Sequence, residues 1–390
     1  MVMGPRRVRV AACLSTSILA WLGGCATSSP VASDASAPGS DGGASADTEP
    51  RPDTAAMPDS AACPAHTAFD AGPPLPACTT GPTAAGAAEA QVDLGKGLSA
   101  RQNLTYGHRG GVNLQGDLFV PGAKAGRGQP GVLVVVHGGG WVDCANRRDG
   151  ETAFAALVAR VLDVATFNIE YRLVQEGGGY PENLEDVKCA VQWIAEHGAS
   201  FGVDGTRVAI AGASAGAHLA LMVGLTQERA DLDPGCGASP PRVLATISYS
   251  GPSDLPAFVK STSVARAAPS YYVGGPCAQP IDGCQAGARC DLCIDASPLA
   301  HVCTARGAFV LVQAPDAYDP LVSLDQAEVL QRALVAAGAS SRLVVPTEAE
   351  LQAQGCQPNN PLLAAHGNGL CLVVPSSPVV NPLIQATLGR

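Results

Sequence analysis

Lysines and arginines do not cluster anywhere in the body of this 390-residue chain, whose formal net charge is -10. A nucleic-acid partner needs grouped positive charge to neutralise phosphates, so that class is excluded. The acidic excess speaks to solubility. Beyond the first 25 residues there is no apolar run long enough for a transmembrane helix. Charged residues make up only 15% of the chain against 46% hydrophobic, which excludes a disordered protein and leaves material for one large core. The 14 cysteines lack the two CxxC pairs of a tetrahedral zinc site. Their densest group, "CAQPIDGCQAGARCDLC" followed by Cys303, has only His301 near it.

The N-terminus carries a signal of its own. Arg6, Arg7 and Arg9 precede an apolar run from Val10 to Leu22 that is too short to span a bilayer comfortably, which reads as an export signal over residues 1–24. The run ends in "LGGC", which resembles a bacterial lipobox and makes Cys25 the expected lipid-bearing N-terminus. The competing reading is an ordinary cleaved signal with Cys25 as a bystander. The resulting expectation is an exported protein held by lipid in the bacterial cell envelope, at the outer membrane or periplasmic face. Residues 25–90 are dominated by Ala, Ser, Pro, Gly, Thr and Asp, with too few large apolar side chains to offset the entropy of ordering, and read as a flexible tether. Within it, "CPAHTAFDAGPPLPAC" spaces Cys63 and Cys78 for a local loop closure. Setting aside Cys13 and Cys25 leaves an even number of cysteines, which behind an export signal favours disulfides.

From residue 91 onward, short apolar runs alternate with helical patterns: "GVLVVV" (131–136), "VATFNIE" (164–170), "TRVAIAG" (206–212), "RVLATISYS" (242–250), "AFVLVQA" (308–314) and "SRLVVP" (341–346). Continuous rather than alternating runs suit strands covered on both faces. Between them, Leu184, Val187, Val191 and Ile194 fall at helical spacing, bounded by Pro181 and Gly198, and residues 324–338 repeat the pattern. The order predicts an α/β fold with a mostly parallel doubly wound sheet, preceded by an antiparallel pair in "QNLTYG" and "VNLQGDLFVP".

Gly-x-Ser-x-Gly occurs twice, at Ser200 and at Ser214. Ser200 follows a helix, where glycine and serine serve the backbone, and is expected to be structural. Ser214 lies between the strand "TRVAIAG" and the small-residue helix "AGAHLALMVGL", the strand-turn-helix setting of a nucleophile elbow. The strand at 131–136 runs into His137-Gly138-Gly139-Gly140-Trp141, and three glycines leave backbone N–H groups uncovered, as an oxyanion hole requires. Gly139, Gly140 and Ala215 are the natural donors.

With "HGGGW", "NIEYRL", "YPENLEDVKCAVQWIAEHGASFGVDGTRVAIAGASAGAHLAL" and "DPLVSLDQAEVLQRALVAAG", the chain resembles an alpha/beta-hydrolase of the hormone-sensitive-lipase-like and bacterial feruloyl or acetylxylan esterase-like group. The resemblance implies a serine carboxylic ester hydrolase over residues 91–390, acting through an acyl-enzyme without metal or organic cofactor, on a small-molecule or polymer-linked ester with a short acyl, aryl or sugar part. It implies a triad in the order Ser, acid, His. His366 is the one histidine after both the strand that should deliver the acid and the last strand, and so takes the role of base, whereas His218 shares a helix with Ser214 and reads as a packed residue. For the acid, "VLVQAPDAYDPLV" offers Asp316 and Asp319; the resemblance selects Asp319, directly before Pro-Leu-Val. A cysteine-rich insertion at about 255–300, with Tyr271 and Tyr272, falls where such folds carry a cap, and reads equally as a substrate lid or a pinned surface loop. Rival functions are an amidase or peptidase of the same fold and a non-catalytic binding module.

Overall fold

The computed structural model describes residues 75–79, 81–83, 85–237, 242–261, 269, 272–274, 292–358 and 379–389. Cys25, Cys63, Tyr271, Cys277, Cys284, Cys290 and His366 lie outside the described residues.

The described residues form a nine-stranded sheet in the order β1-β2-β3-β5-β4-β6-β7-β8-β9. The strands are β1 (Ala90–Asp93), β2 (Leu98–Arg109), β3 (Val112–Pro121), β4 (Gly131–Val136), β5 (Ala165–Ile169), β6 (Asp204–Ala213), β7 (Val243–Tyr249), β8 (Ala308–Val312) and β9 (Ser340–Val344). Pairing from β1 through β3 to β5 is antiparallel, and from β5 through β4 to β9 it is parallel. The expected antiparallel lead-in is therefore present. Its two strands turn through Gly110 and Gly111, at φ 56° and 77°, the left-handed pair that a two-residue hairpin demands.

The parallel strands are buried on both sides. Val132, Val134 and Val136 enter one core while Leu133 and Val135 enter the other, as alternation along a strand requires. Helix α1 (Arg148–Leu162) packs over β3, β4 and β5, and α2 (Glu182–His197) buries Leu184, Val187, Val191 and Ile194 on the opposite face. Helix α3 (Ala215–Leu225) is buried along its whole length. Its Gly224 approaches β7 so closely that a Cβ would stand 2.3 Å from the Thr246 hydroxyl.

One expectation is corrected. Cys78 is joined to Cys144, 66 residues away, with Cα atoms 5.3 Å apart, so the local Cys63–Cys78 closure does not form. The cause is the course of the chain beyond Cys78, which runs along the domain. Asn113 N–H donates to the Thr83 carbonyl at 2.7 Å, and the Gln115 amide both donates to and accepts from the Ala87 backbone. The last part of the stretch read as tether is thus tied to the domain. Cys189 pairs with Cys236, and Cys293, Cys303 and Cys356 are also disulfide-bonded, in line with the even cysteine number.

Candidate active site

Strands β4 and β6 are parallel neighbours with Val136 opposite Gly212, so His137–Trp141 and Ser214 leave the carboxyl edge of the sheet side by side. Ser214 stands at φ 54°, ψ -122°, a conformation that is costly for a residue with a Cβ and is held only where its surroundings enforce it. They do so here: Ser214 N–H donates to the Tyr249 carbonyl at 2.8 Å, and the Ser214 carbonyl accepts from His218 N–H at 3.0 Å as α3 begins. The turn closes because its flanks lack side chains. A Cβ on Gly212 would stand 2.3 Å from the Gly216 carbonyl, and one on Gly216 would stand 2.2 Å from that of Val136. Ser214 is half-exposed while Ala215, the first residue of α3, is buried. The helix N-terminus there favours negative charge developing beside the serine.

The glycine loop folds over this turn. A Cβ on Gly138 would lie 3.3 Å from Ser214 Cβ. Gly139, Gly140 and Trp141 all have positive φ (106°, 57° and 64°), and the Gly139 carbonyl accepts from Val142 and Asp143 N–H. The residues that hold the loop went unassigned in the sequence, although Glu170, one of them, lies in the quoted "NIEYRL". His137 is buried, its Nδ1 2.9 Å from the Gly138 carbonyl and its Nε2 3.2 Å from Glu170 Oε1. Glu170 also accepts from Arg147 at 2.9 Å, and Arg147 bridges on to Glu176. Burial pushes the Glu170 carboxyl up, but His137 and Arg147 outweigh it and hold it below the usual carboxylate range. A buried charge is tolerable here because it is doubly paired.

After β8, the two acid candidates separate by burial. Asp316 is exposed and accepts from Leu324 N–H at 2.7 Å, holding the start of the helix over Leu324–Ala336. Asp319 is buried. Its Oδ1 accepts from Leu321 and Val322 N–H, and its Oδ2 accepts from the Gln313 amide at 2.9 Å. Gln313, the last apolar-run residue but one in "AFVLVQA", is a further supporting group that sequence reasoning passed over.

Ser200 sits on the short turn after α2 and donates to the His197 carbonyl at 2.6 Å, away from any elbow. His218 is a packed residue: its Nε2 lies 2.6 Å from the Ala296 carbonyl, and burial lowers its pKa to about 4. Trp141 meets His218 edge to face at 5.1 Å and stacks on Tyr272 of the insertion at 4.7 Å. At least this part of the cysteine-rich insertion therefore rests on the glycine loop and on α3, the helix that follows Ser214.

A parallel sheet carrying a strained serine between a strand and a helix, beside a glycine loop, defines the alpha/beta-hydrolase fold. The BD-FAE family model matches residues 117–334, more than half of the chain, and the chain belongs to that family. Esterase LipQ from Mycobacterium tuberculosis is 30% identical over 154 residues, covering 39% of this chain and 35% of LipQ. Carboxylesterase NlhH from the same organism is 34% identical over 93 residues, covering 24% of this chain and 28% of that protein. The chain spans about a third of the length of the curated relatives it matches. Among solved structures, carboxyl esterase 2 (TmelEST2) from Tuber melanosporum superposes with a TM-score of 0.52 at 20% identity, covering 76% of this chain and 88% of that one. A thermostable esterase from Pseudomonas putida ECU1011 superposes with a TM-score of 0.51 at 22% identity, covering 77% and 83%. These two likenesses carry the fold.

Proposed function

We propose that this protein is an exported serine hydrolase of carboxylic esters, anchored in the cell envelope through lipid on Cys25, with Ser214 as nucleophile, His366 as base and Asp319 as the group that orients it. The observation that carries the reading is the strained Ser214 backbone, half-exposed with Gly138 packed against its Cβ position. Strain of that kind persists only where something requires it.

In this mechanism Ser214 Oγ attacks the ester carbonyl carbon while His366 takes its proton. The carbonyl oxygen becomes an oxyanion facing the N–H groups of Gly139, Gly140 and Ala215. Collapse expels the alcohol, which takes the proton from His366, and leaves an acyl group on Ser214. Water then repeats the sequence, releasing the acid and restoring the hydroxyl. Asp319, buried and already holding three hydrogen bonds from Gln313, Leu321 and Val322, is a fixed carboxylate suited to hold one imidazole tautomer and offset the imidazolium charge. The names of the relatives, esterases and carboxylesterases, support the same substrate class.

Labelling with a fluorophosphonate probe tests the reading: the wild type should be labelled stoichiometrically and Ser214→Ala not at all. An unlabelled wild type overturns it in favour of a binding module. Membrane fractionation of Cys25→Ala tests the anchor, with release into the soluble fraction expected and unchanged retention contradicting it.

A further inference from the structure

We propose that the Cys78–Cys144 disulfide is a positioning element for the oxyanion loop, a role that rests on the hydrolase reading above. The loop that carries Gly139 and Gly140 is folded back on itself around Gly139. Val142 and Asp143 N–H both donate to the Gly139 carbonyl, and Asn146 N–H donates to that of Asp143. A Cβ built on Gly139 would meet the Asn146 carbonyl at 3.1 Å and Asp143 Cβ at 3.4 Å. Cys144 is therefore a member of the small turn that walls Gly139, four residues beyond the second glycine donor.

Two sets of contacts fix that turn from outside. One belongs to the segment after β5: the Gln175 amide donates to the Val142 carbonyl at 2.7 Å and approaches Cys144 Sγ at 3.1 Å, and Val174 N–H donates to the Trp141 carbonyl. The other is covalent. Cys78 lies at the start of a strap that runs along the domain edge, where Thr83 and Ala87 are bonded to Asn113 and Gln115 on β3. Gly81 of this strap, at φ 130°, is pressed against the Arg147–Glu176 pair so closely that a Cβ would stand 2.5 Å from the Arg147 guanidinium. The same Arg147 reaches Glu170 and through it His137, at the head of the loop. The strap thus grips the loop at its exit, through the disulfide and through Arg147.

An oxyanion hole acts by placing donors where charge develops, and displacing even one such donor costs turnover rather than ground-state binding. A bond that fixes the wall of Gly139 acts on that term. Cys189–Cys236, which joins α2 to the segment before β7, touches none of the loop and serves as the internal control.

The experiment compares the full chain with Cys78→Ser/Cys144→Ser and with Cys189→Ser/Cys236→Ser. Active sites are counted by fluorophosphonate labelling, and kcat per labelled site and KM are measured on a short-chain activated ester. Inhibition by an alkyl trifluoromethyl ketone, which forms an oxyanion on the serine, is measured alongside. Loss of Cys78–Cys144 should lower kcat per site by about 10-fold or more, less than the ~10²–10³-fold that outright removal of an oxyanion donor costs because the donor is displaced and not removed. KM should stay within about twofold and the ketone should lose affinity in parallel. The control pair should lower the melting temperature and leave kcat per site unchanged. If the serine pair does not fold, Cys78→Val/Cys144→Ala keeps apolar packing and removes the covalent tie. An unchanged kcat per site in a labelled protein lacking the bond overturns this inference alone, as does an equal fall in the control. An unlabelled wild type overturns the hydrolase reading and this inference with it.

Discussion

His137 lies flat against Tyr171, with ring centroids 4.1 Å apart and planes 9° from parallel, and the Tyr171 hydroxyl donates to the carbonyl oxygens of His137 and Gly138. Tyr171, just beyond the end of β5, therefore clamps the entry to the glycine loop. Tyr171→Phe keeps the stack and removes the donor, leaving buried carbonyls short of a partner. The expected loss is about 1–3 kcal/mol in a denaturant titration. A midpoint unchanged from wild type would mean that the hydroxyl contributes nothing to the clamp.

The two Gly-x-Ser-x-Gly serines should part completely. Ser214→Ala should lose at least about 10⁴-fold in turnover of an activated short-chain ester, since little but the oxyanion hole and binding then remains. Ser200→Ala gives up one exposed bond to the His197 carbonyl and should retain near wild-type turnover. A dead Ser200→Ala would sink the assignment of the elbow.

Asp319→Asn and Asp316→Asn make the corresponding test of the acid. Loss of a triad carboxylate with geometry kept can cost about 10⁴-fold. Asp319→Asn should approach that loss, while Asp316→Asn should show only the modest destabilisation of a weakened helix start. Circular dichroism of both variants separates misfolding from chemistry. A larger activity loss in Asp316→Asn would move the acid to Asp316.

Stability should fall on acidification through His218. Burial drives its pKa from 6.5 down to about 4, with the neighbouring His301 acting in the same direction and the Ala296 carbonyl opposing both. A depressed folded-state pKa means that the unfolded chain binds the extra proton first. The stabilisation is thus complete above pH 6.5 and drains away as pH falls toward 4, by on the order of 3 kcal/mol. His218→Gln, which retains a donor for Ala296, should show a flatter pH dependence over that window. The half-buried Glu151 and the buried Asp186, both pushed upward chiefly by desolvation, contribute with the opposite sign in both proteins and cancel in the comparison. Parallel slopes for the two proteins would refute the assignment.

Acyl length is the remaining test. The insertion at 255–300 carries four cysteines, and nothing in its sequence resembles a long apolar lid helix. Acetyl and butyryl esters should be turned over faster than palmitoyl esters, and the reverse order would contradict the short-chain reading.

The parallel sheet was legible because its strands are buried on both faces. "GVLVVV" coincides with β4 to the residue, and "TRVAIAG" lies inside β6 with its ends a few residues short. The elbow was legible because the close approaches at Gly212 and Gly216 exclude every other residue. Glu170 and Arg147 were not. A charged side chain in a sequence reads as surface, and only the meeting of β4, β5 and the start of α1 buries these two against each other. The partner of Cys78 was hidden for a related reason. Nearness in sequence favours Cys63, whereas the path of the strap beside β3 decides for Cys144. Gln313 is a polar residue at the end of an apolar run, and its meaning appears only once the chain after β8 turns back to set Asp319 against it.

The complete burial of α3 sets a limit on how the elbow can be observed. All 11 of its residues, from Ala215 to Leu225, are enclosed, so the helix offers no side on which a fluorophore, a spin label or an affinity handle could be mounted without entering the core. On the opposite bank of the site, between Val142 and Asn146, Ala145 is the exposed residue, and a reporter of events at Ser214 placed there leaves the bonds that fix the turn in place. Libraries aimed at altered selectivity face the same boundary: codons 212 to 225 are best left untouched.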